Sequence, residues 1–406
     1  MEIFIIYYNM KYYIKIIVVY IARIVLRLFY LFPIKKNKIL FSAYEGLSYS
    51  CNPKYIFQYI YNKFGDRLDY YWCLNDQSKL PNDYVNVKSI RFLSLSHIYH
   101  LMTSKCIVSN MGIEPIIPKR EKQVFINTWH GGGAYKQVNS HLEVYENGQS
   151  KYVESMRDIR NKMTNYLLSS CQKFTDVMSV DFNMDKSIFL PVGMARNDLL
   201  LTATIDVIND YRVRICKRYN VDPDKTIILY APTFRGSYRF QKEVDTELLY
   251  SKEVADSFKN RFGKECTTMY RRHITPNEED KKMSNGAQIY VDVTDYMDMQ
   301  ELLLIVDVLI TDYSSSIWDF SLTGKPAFLY VPDLQQYTKD MNFYTPISSW
   351  PYPKAETLNE LCEVVKNYDE REVIANINKH HAALGSFENG YACKAAYDII
   401  KKEMEL

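Results

Sequence analysis

From residue 38 onward, short apolar runs alternate with longer segments of mixed polarity. Residues 38–43 (KILFSA), 68–74 (LDYYWCL), 106–109 (CIVS) and 123–128 (QVFINT) are rich in β-branched and aromatic residues and predict strands. Residues 53–64, a segment ending at 98–103 and the stretch 153–168 predict helices. The alternation resumes in the second half, with strands at 227–230, near 269–272, at 288–293, 308–311 and 327–331, and a helix at 299–306. Residues 238–265 are charged and weakly patterned, giving a loop and a helix. Continuous apolar strands joined by helices predict α/β architecture: doubly wound parallel sheets that bind ligands beyond the carboxyl ends of their strands. At 406 residues the chain can bury two such cores, one over 38–205 and one over 206–406.

The sharpest single unit is DVLITDYSSSIWDFSLTGKPAFLY, residues 307–330. Its strand ends at Asp312 and Tyr313, and Ser314, Ser315 and Ser316 then open a short helix with Ile317, Trp318, Phe320 and Leu322 on its apolar side. Gly324 and Pro326 end that helix. Hydroxyls and unpaired N–H groups at such a turn suit a phosphate. Simple capping by the serines is the structural alternative.

Residues 1–37 follow a different rule. The apolar stretch 12–32 is interrupted by Lys15, Arg23 and Arg27, which with Lys11 form one basic face opposite a broad Ile/Val/Leu/Tyr face. That pattern suits an amphipathic helix lying in a membrane interface; a spanning helix would carry Arg23 near mid-bilayer. A helix packed on its own domain is the third reading. Residues 1–38 hold a charge of +6 and the rest of the chain −4, giving the net +2. A basic head on a mildly acidic body favours an anionic membrane surface as partner and speaks against nucleic acid. The eight cysteines form no CxxC pair and have no clustered histidines, as expected of reduced core thiols.

Chemistry-bearing residues gather at predicted strand ends. TWHGGGAYK, residues 128–136, puts His130 on a turn where Gly131 and Gly132 let backbone approach a ligand, with Lys136 following. Arg196 lies in a polar turn, GMARND, whose bland reading is a cap with an ordinary ion pair. Thr233 and Arg235 follow the 227–230 strand, and Arg271, Arg272 and His273 follow the next. No DxD-like pair stands at a strand end, so neither metal nor other cofactor is expected.

In this order the pieces NTWHGGGAYK, GMARND, LYAPTFR, RRH, VLITDYSSSIWDFSLTGKPAFLY and FENGYACKAA resemble the CDP-glycerol glycerophosphotransferases that make teichoic acids and related capsule polymers. The resemblance covers roughly residues 38–400. It implies a GT-B-like pair of Rossmann-type domains with the site in the cleft between them, the first on the acceptor side and the second, with a terminal helix, binding the CDP donor. It implies peripheral, monotopic association with the cytoplasmic face of the membrane. The implied reaction moves glycerol phosphate from CDP-glycerol to a hydroxyl of a lipid-linked glycan or polymer acceptor and releases CMP. His130 and His273 are the implied catalytic residues. Gly131, Gly132, Lys136, Arg196, Thr233, Arg235, Arg271, Asp312 and Ser314 to Ser316 are the implied substrate contacts, the serines on the donor phosphates. This chain has GGGAYK where many relatives read GTPLK, Phe234 and Gly236 in place of a Trp and an Asp, and GMARND for GYPRND. These departures bear on the acceptor and the alditol more than on the reaction class. CDP-ribitol as donor, a GT-B glycosyltransferase using a nucleotide sugar, and a non-catalytic membrane adaptor are the rival readings; retention of both histidines and the serine turn argues against the last. A homo-oligomer is compatible with the sequence.

Overall fold

The computed structural model describes residues 2–84, 86–138, 147–233, 235–237, 240–242, 246–272 and 290–406. The chain forms two units, Met1–Asp198 together with Gly385–Leu406, and Leu199–Leu384.

The first unit is built on seven parallel strands: β1 (Lys35–Ser42), β2 (Asp69–Cys73), β3 (Val87–Ile90), β4 (Ser104–Ser109), β5 (Val124–Asn127), β6 (Tyr166–Ser169) and β7 (Phe189–Pro191), in the order β3-β2-β1-β4-β5-β6-β7. Ile39 on β1 lies beside Tyr70 on β2 and Cys106 on β4. Ile39, Phe41, Trp72, Val108 and Ile126 are fully buried, because helices cover both faces of the sheet. Strand order reverses between β1 and β4, which makes the crevice beyond their carboxyl ends the natural ligand position.

The second unit carries six parallel strands, β8 (Thr226–Tyr230), β11 (Cys266–Tyr270), β12 (Tyr290–Asp292), β13 (Val308–Thr311), β14 (Ala327–Tyr330) and β15 (Lys354–Ala355), ordered β12-β11-β8-β13-β14-β15. A separate antiparallel hairpin pairs β9 (Arg235–Ser237) with β10 (Phe240–Lys242). Here the order reverses between β8 and β13.

Three expectations are corrected. The helix expected over 153–168 stops at Lys162 and gives way to β6, since Leu167 and Leu168 are fully buried as strand residues. The units divide after Asp198 rather than near 205. The terminal helix, Ala392–Met404, belongs to the first unit and not the second. Asp198 fixes it there by accepting from the backbone N–H of Ala392 (3.0 Å) and Cys393 (2.7 Å), while Tyr166 donates to Glu403 (2.7 Å). Burial holds the Asp198 carboxyl above its ordinary pKa, and the two N–H donors oppose that.

The N-terminal helix Glu2–Leu26 continues into a 3-10 turn, Arg27–Leu31. Val19, Leu26, Phe29 and Tyr30 pack against the first unit's core. Arg23 lies on this inward side and donates to the carbonyls of Pro115 and of Ile117 (3.3 Å). The outward side is largely apolar: Ile14, Ile17, Val18, Ile21, Ile24 and Leu28 are each more than half exposed, with Lys11, Lys15 and Arg27 exposed beside them. Among the described residues no helix is long and apolar enough to cross a membrane. The eight cysteines are free, six of them buried.

Candidate functional site

At the first unit's switch point, Asn110 follows β4 and spans the reversal. Its side-chain Oδ1 accepts from the backbone N–H of Tyr44, which follows β1, at 2.9 Å. Its backbone carbonyl meets Nδ1 of His130 at 3.1 Å. A carbonyl oxygen can only accept, so Nδ1 carries the proton and a neutral His130 keeps its lone pair on Nε2. Asn110 is fully buried, and its amide Nδ2 has no hydrogen-bond partner among the described residues. A buried donor beside a half-buried histidine marks this crevice as polar.

The turn that carries His130 is held from several sides. Trp129 adopts φ +52, unusual for a bulky residue. Asn52 overrides that cost by donating from Nδ2 to the carbonyls of Thr128 (2.9 Å) and Trp129 (3.0 Å). Oδ1 of Asn52 accepts from the backbone N–H of Arg196 (2.9 Å), and Nη1 of Arg196 donates to the carbonyl of His130 (2.6 Å) and contacts Cys51 Sγ (3.3 Å). The GMARND turn is therefore a brace for the histidine loop, and buried Arg196 reaches backbone. Glu388 of the FENG segment receives the N–H of Met194 and the amide of Asn197, both at 3.1 Å. Gly193, at φ +84, is needed there because a Cβ would lie 2.7 Å from Glu388 Oε2. Near the same crevice, burial raises the Glu114 carboxyl above the usual carboxylate range; Arg160 opposes this and Glu45 adds to it. Of the three glycines after His130, Gly133 alone has a positive φ, +64, and Lys136 is half-buried beyond it.

In the second unit the same position after the reversing strand is taken by Asp312. Its carboxylate accepts from the backbone N–H of Thr233, which follows β8, at 2.8 and 2.9 Å, and from Tyr313 N–H at 2.5 Å. Ser314 Oγ accepts from both the N–H (3.2 Å) and the hydroxyl (3.0 Å) of Ser316. Ser315 occupies the cap position of the helix Ser316–Ser321 without a side-chain capping bond. The serines thus brace one another more than they cap, and Ser314 and Ser315 are half-exposed at the strand end. Arg271 extends from β11, its Nη2 donating to the carbonyls of Tyr296 (3.1 Å) and Met297 (3.3 Å). Arg235 begins the β9 hairpin. His273 lies outside the described residues.

The structure brings His130 and Arg196 together in the first unit, and Thr233 with Asp312 and the serine turn in the second. Asn110, Asn52, Tyr44 and Trp129 escaped the sequence reading. The signal available for Asn110 was its place directly after the CIVS strand, the same rule that selected His130 and Asp312.

A family model described as CDP-glycerol:poly(glycerophosphate) glycerophosphotransferase matches residues 24–402. The chain is 32% identical over 383 residues to a teichoic acid poly(glycerol phosphate) polymerase of Bacillus spizizenii, covering 90% of this chain and 93% of that one. It is 30% identical over 393 residues to a teichoic acid poly(glycerol phosphate) polymerase of Staphylococcus epidermidis, spanning 92% of this chain but 51% of that longer protein. A structure of the wall teichoic acid polymerase TagF, obtained after soaking with CDPG, aligns with a TM-score of 0.78 at 26% identity over 98% of both chains. The two parallel-sheet units are GT-B-like, as in TagF. The chain belongs to the CDP-glycerol:poly(glycerophosphate) glycerophosphotransferase family.

Proposed function

We propose that this protein transfers glycerol phosphate from CDP-glycerol to a hydroxyl of a membrane-linked polymer acceptor, with His130 as general base. The observation that carries the base assignment is the Nδ1–Asn110 carbonyl contact, which places the proton on Nδ1 and the basic lone pair on Nε2. The acceptor oxygen forms a bond to the glycerol-bearing phosphorus as its proton passes to Nε2. The P–O bond to CMP breaks, and CMP leaves with the electron pair. Such transfers rest on positioning and charge stabilisation more than on covalent catalysis.

The second unit takes the donor. Backbone N–H groups and hydroxyls of Ser314 to Ser316, on the turn that Asp312 braces, meet the pyrophosphate, and Arg271, Arg235 and Thr233 add donors. His273 completes the constellation by stabilising the departing phosphate. Gly131, Gly132 and Lys136 form the acceptor side. Family membership and likeness to poly(glycerol phosphate) polymerases support the donor and acceptor classes. The exposed apolar side of the N-terminal helix supports a peripheral seat on the cytoplasmic face of the membrane.

CMP release by the purified protein with membrane-extracted acceptor, offered CDP-glycerol, CDP-ribitol and UDP-sugars in parallel, tests the reading. Release from CDP-glycerol is expected. Release from CDP-ribitol alone reassigns the alditol, and turnover of a UDP-sugar alone contradicts the proposal.

A further inference from the structure

A groove of about 410 Å³ runs along the first unit between the N-terminal helix, the segment 119–121 and the end of the helix Asn147–Lys162. Four cations line it, Arg23, Arg27, Lys119 and Lys162, against one carboxylate, Glu121. Among the described residues none of the four forms an ion pair within the distance of a salt bridge. Arg23 is spent on the carbonyls of Pro115 and Ile117, and Lys119 on those of Arg120 (3.4 Å) and Gln123 (2.9 Å). Carbonyls satisfy donors but neutralise no charge, so the groove keeps a surplus of about three positive charges. Burial lowers the affinity of Arg23 and Lys119 for a proton; Arg27 adds to this at Arg23, and Glu121 opposes it at Lys119.

The remaining wall is apolar. Ile159 and Met163 form the floor and belong to the core, while Tyr20 and Ile24 form the lip and belong to the exposed apolar side of the helix. Cations along the walls and an apolar lip continuous with the exposed apolar residues of the helix match one chemical class: a phosphate that carries a hydrocarbon chain. A free nucleotide or sugar phosphate would use the cations but gain nothing from the lip.

We propose that this groove binds the phosphate of an anionic phospholipid headgroup, with an acyl chain lying along Tyr20 and Ile24. The inference rests on the peripheral seat proposed above and sharpens it from a general apolar contact to a headgroup site. Arg27 and Lys162 are exposed and hold no side-chain hydrogen bond or ion pair among the described residues, which makes them the groove positions to change.

The experiment uses the full chain and vesicles of neutral phosphatidylcholine, with or without phosphatidylglycerol, in a sedimentation assay. A groove variant, Arg27→Gln with Lys162→Gln, is compared with a charge-matched control, Lys11→Gln with Lys15→Gln. Diffuse attraction is worth roughly fivefold per basic residue and would lower both variants equally on anionic vesicles. A headgroup site predicts that the groove variant falls roughly tenfold below the control, because charge-assisted contacts to phosphate are lost as well. On neutral vesicles both variants should match wild type. Equal losses in the two variants overturn the proposal, as does undiminished wild-type binding when a fatty acid replaces the phospholipid at equal surface charge. An Ile17→Asp, Ile21→Asp variant reads the peripheral seat separately, through binding to neutral vesicles. Should wild type bind no vesicle, that seat fails, and calorimetry with soluble dihexanoyl phosphatidylglycerol decides the groove on its own. Binding lost in the groove variant then supports the site; no binding, or inorganic phosphate binding equally well, overturns it.

Discussion

The two units solve the same topological problem with different chemistry. Each places a polar residue after the strand at its switch point and uses it to tie down the chain leaving the opposite strand: Asn110 to Tyr44 in the first, Asp312 to Thr233 in the second. An ionised carboxylate only accepts, and Asp312 spends itself on the N–H groups of Thr233 and Tyr313. The result is a fixed scaffold that presents N–H groups and hydroxyls. An amide both accepts and donates, so Asn110 ties the chain and still has a buried donor left over, while its carbonyl orients His130. Backbone geometry follows the same divide. Tyr44, Glu45, Cys51 and Trp129 all adopt positive φ on segments leading from strands of the first sheet, whereas the second unit has one such non-glycine residue among those described, Asn220, at a helix end. Strain that surrounding bonds hold in place is concentrated in the unit proposed to move the proton, and the unit proposed to bind the donor carries little of it.

The contrast can be broken most forcefully at Asp312. Asp312→Ala strands two N–H groups, and each buried orphan costs about 1–3 kcal/mol. Urea unfolding should show a loss of that size or greater, and CDP-glycerol binding by calorimetry should weaken with it. Arg196→Lys attacks the other side. Lysine cannot reproduce the guanidinium reach to the His130 carbonyl, so kcat should fall roughly tenfold, about 1.4 kcal/mol, while donor affinity holds. A loss of donor affinity instead would remove Arg196 from the histidine brace.

Paired glycine variants sharpen the comparison on stability alone. Gly193→Ala meets Glu388 at 2.7 Å and the Phe387 carbonyl at 3.1 Å, while Gly324→Ala meets nothing within 4 Å. Both pay for a left-handed backbone, about 1–2 kcal/mol, and only the first adds a collision; its melting temperature should drop further. The smallest effect is shared by both units. Burial pushes His97 and His381 down to about 4, against about 6.5 in an unfolded chain. The unfolded state therefore takes up protons first on acidification. The stability these groups contribute is complete above about pH 6.5 and is lost as pH falls toward about 4. Melting temperatures at pH 7.5 and 5 should differ less in His97→Asn or His381→Asn than in wild type.

Much of this was legible because strand ends in parallel sheets are few and their following residues stand out. His130, Asp312 and the serine turn were selected that way and do lie beyond strand ends, and the strands themselves announced their double-sided burial by continuous apolar runs. The braces were not legible. Arg196 read as a substrate contact or, with Asp198, as a turn with an ordinary ion pair, because nothing in a linear pattern shows that Arg196 reaches a carbonyl 66 positions away or that Asp198 receives a helix from the far end of the chain. The helix overrun at 153–168 has a similar origin: Leu167 and Leu168 fit the helical period as well as they fit β6. The N-terminal helix is present, but its expected basic face is divided: Arg23 turns inward onto backbone carbonyls while Lys11, Lys15 and Arg27 are exposed, a split that required the fold.

The claim that proton transfer resides in the first unit and donor binding in the second is tested most directly by His130→Ala. CMP release and CDP-glycerol affinity should be measured on the same preparation. The account predicts turnover lower by roughly 100- to 10,000-fold with CDP-glycerol affinity unchanged. Turnover near wild type, or donor binding lost along with turnover, would contradict it.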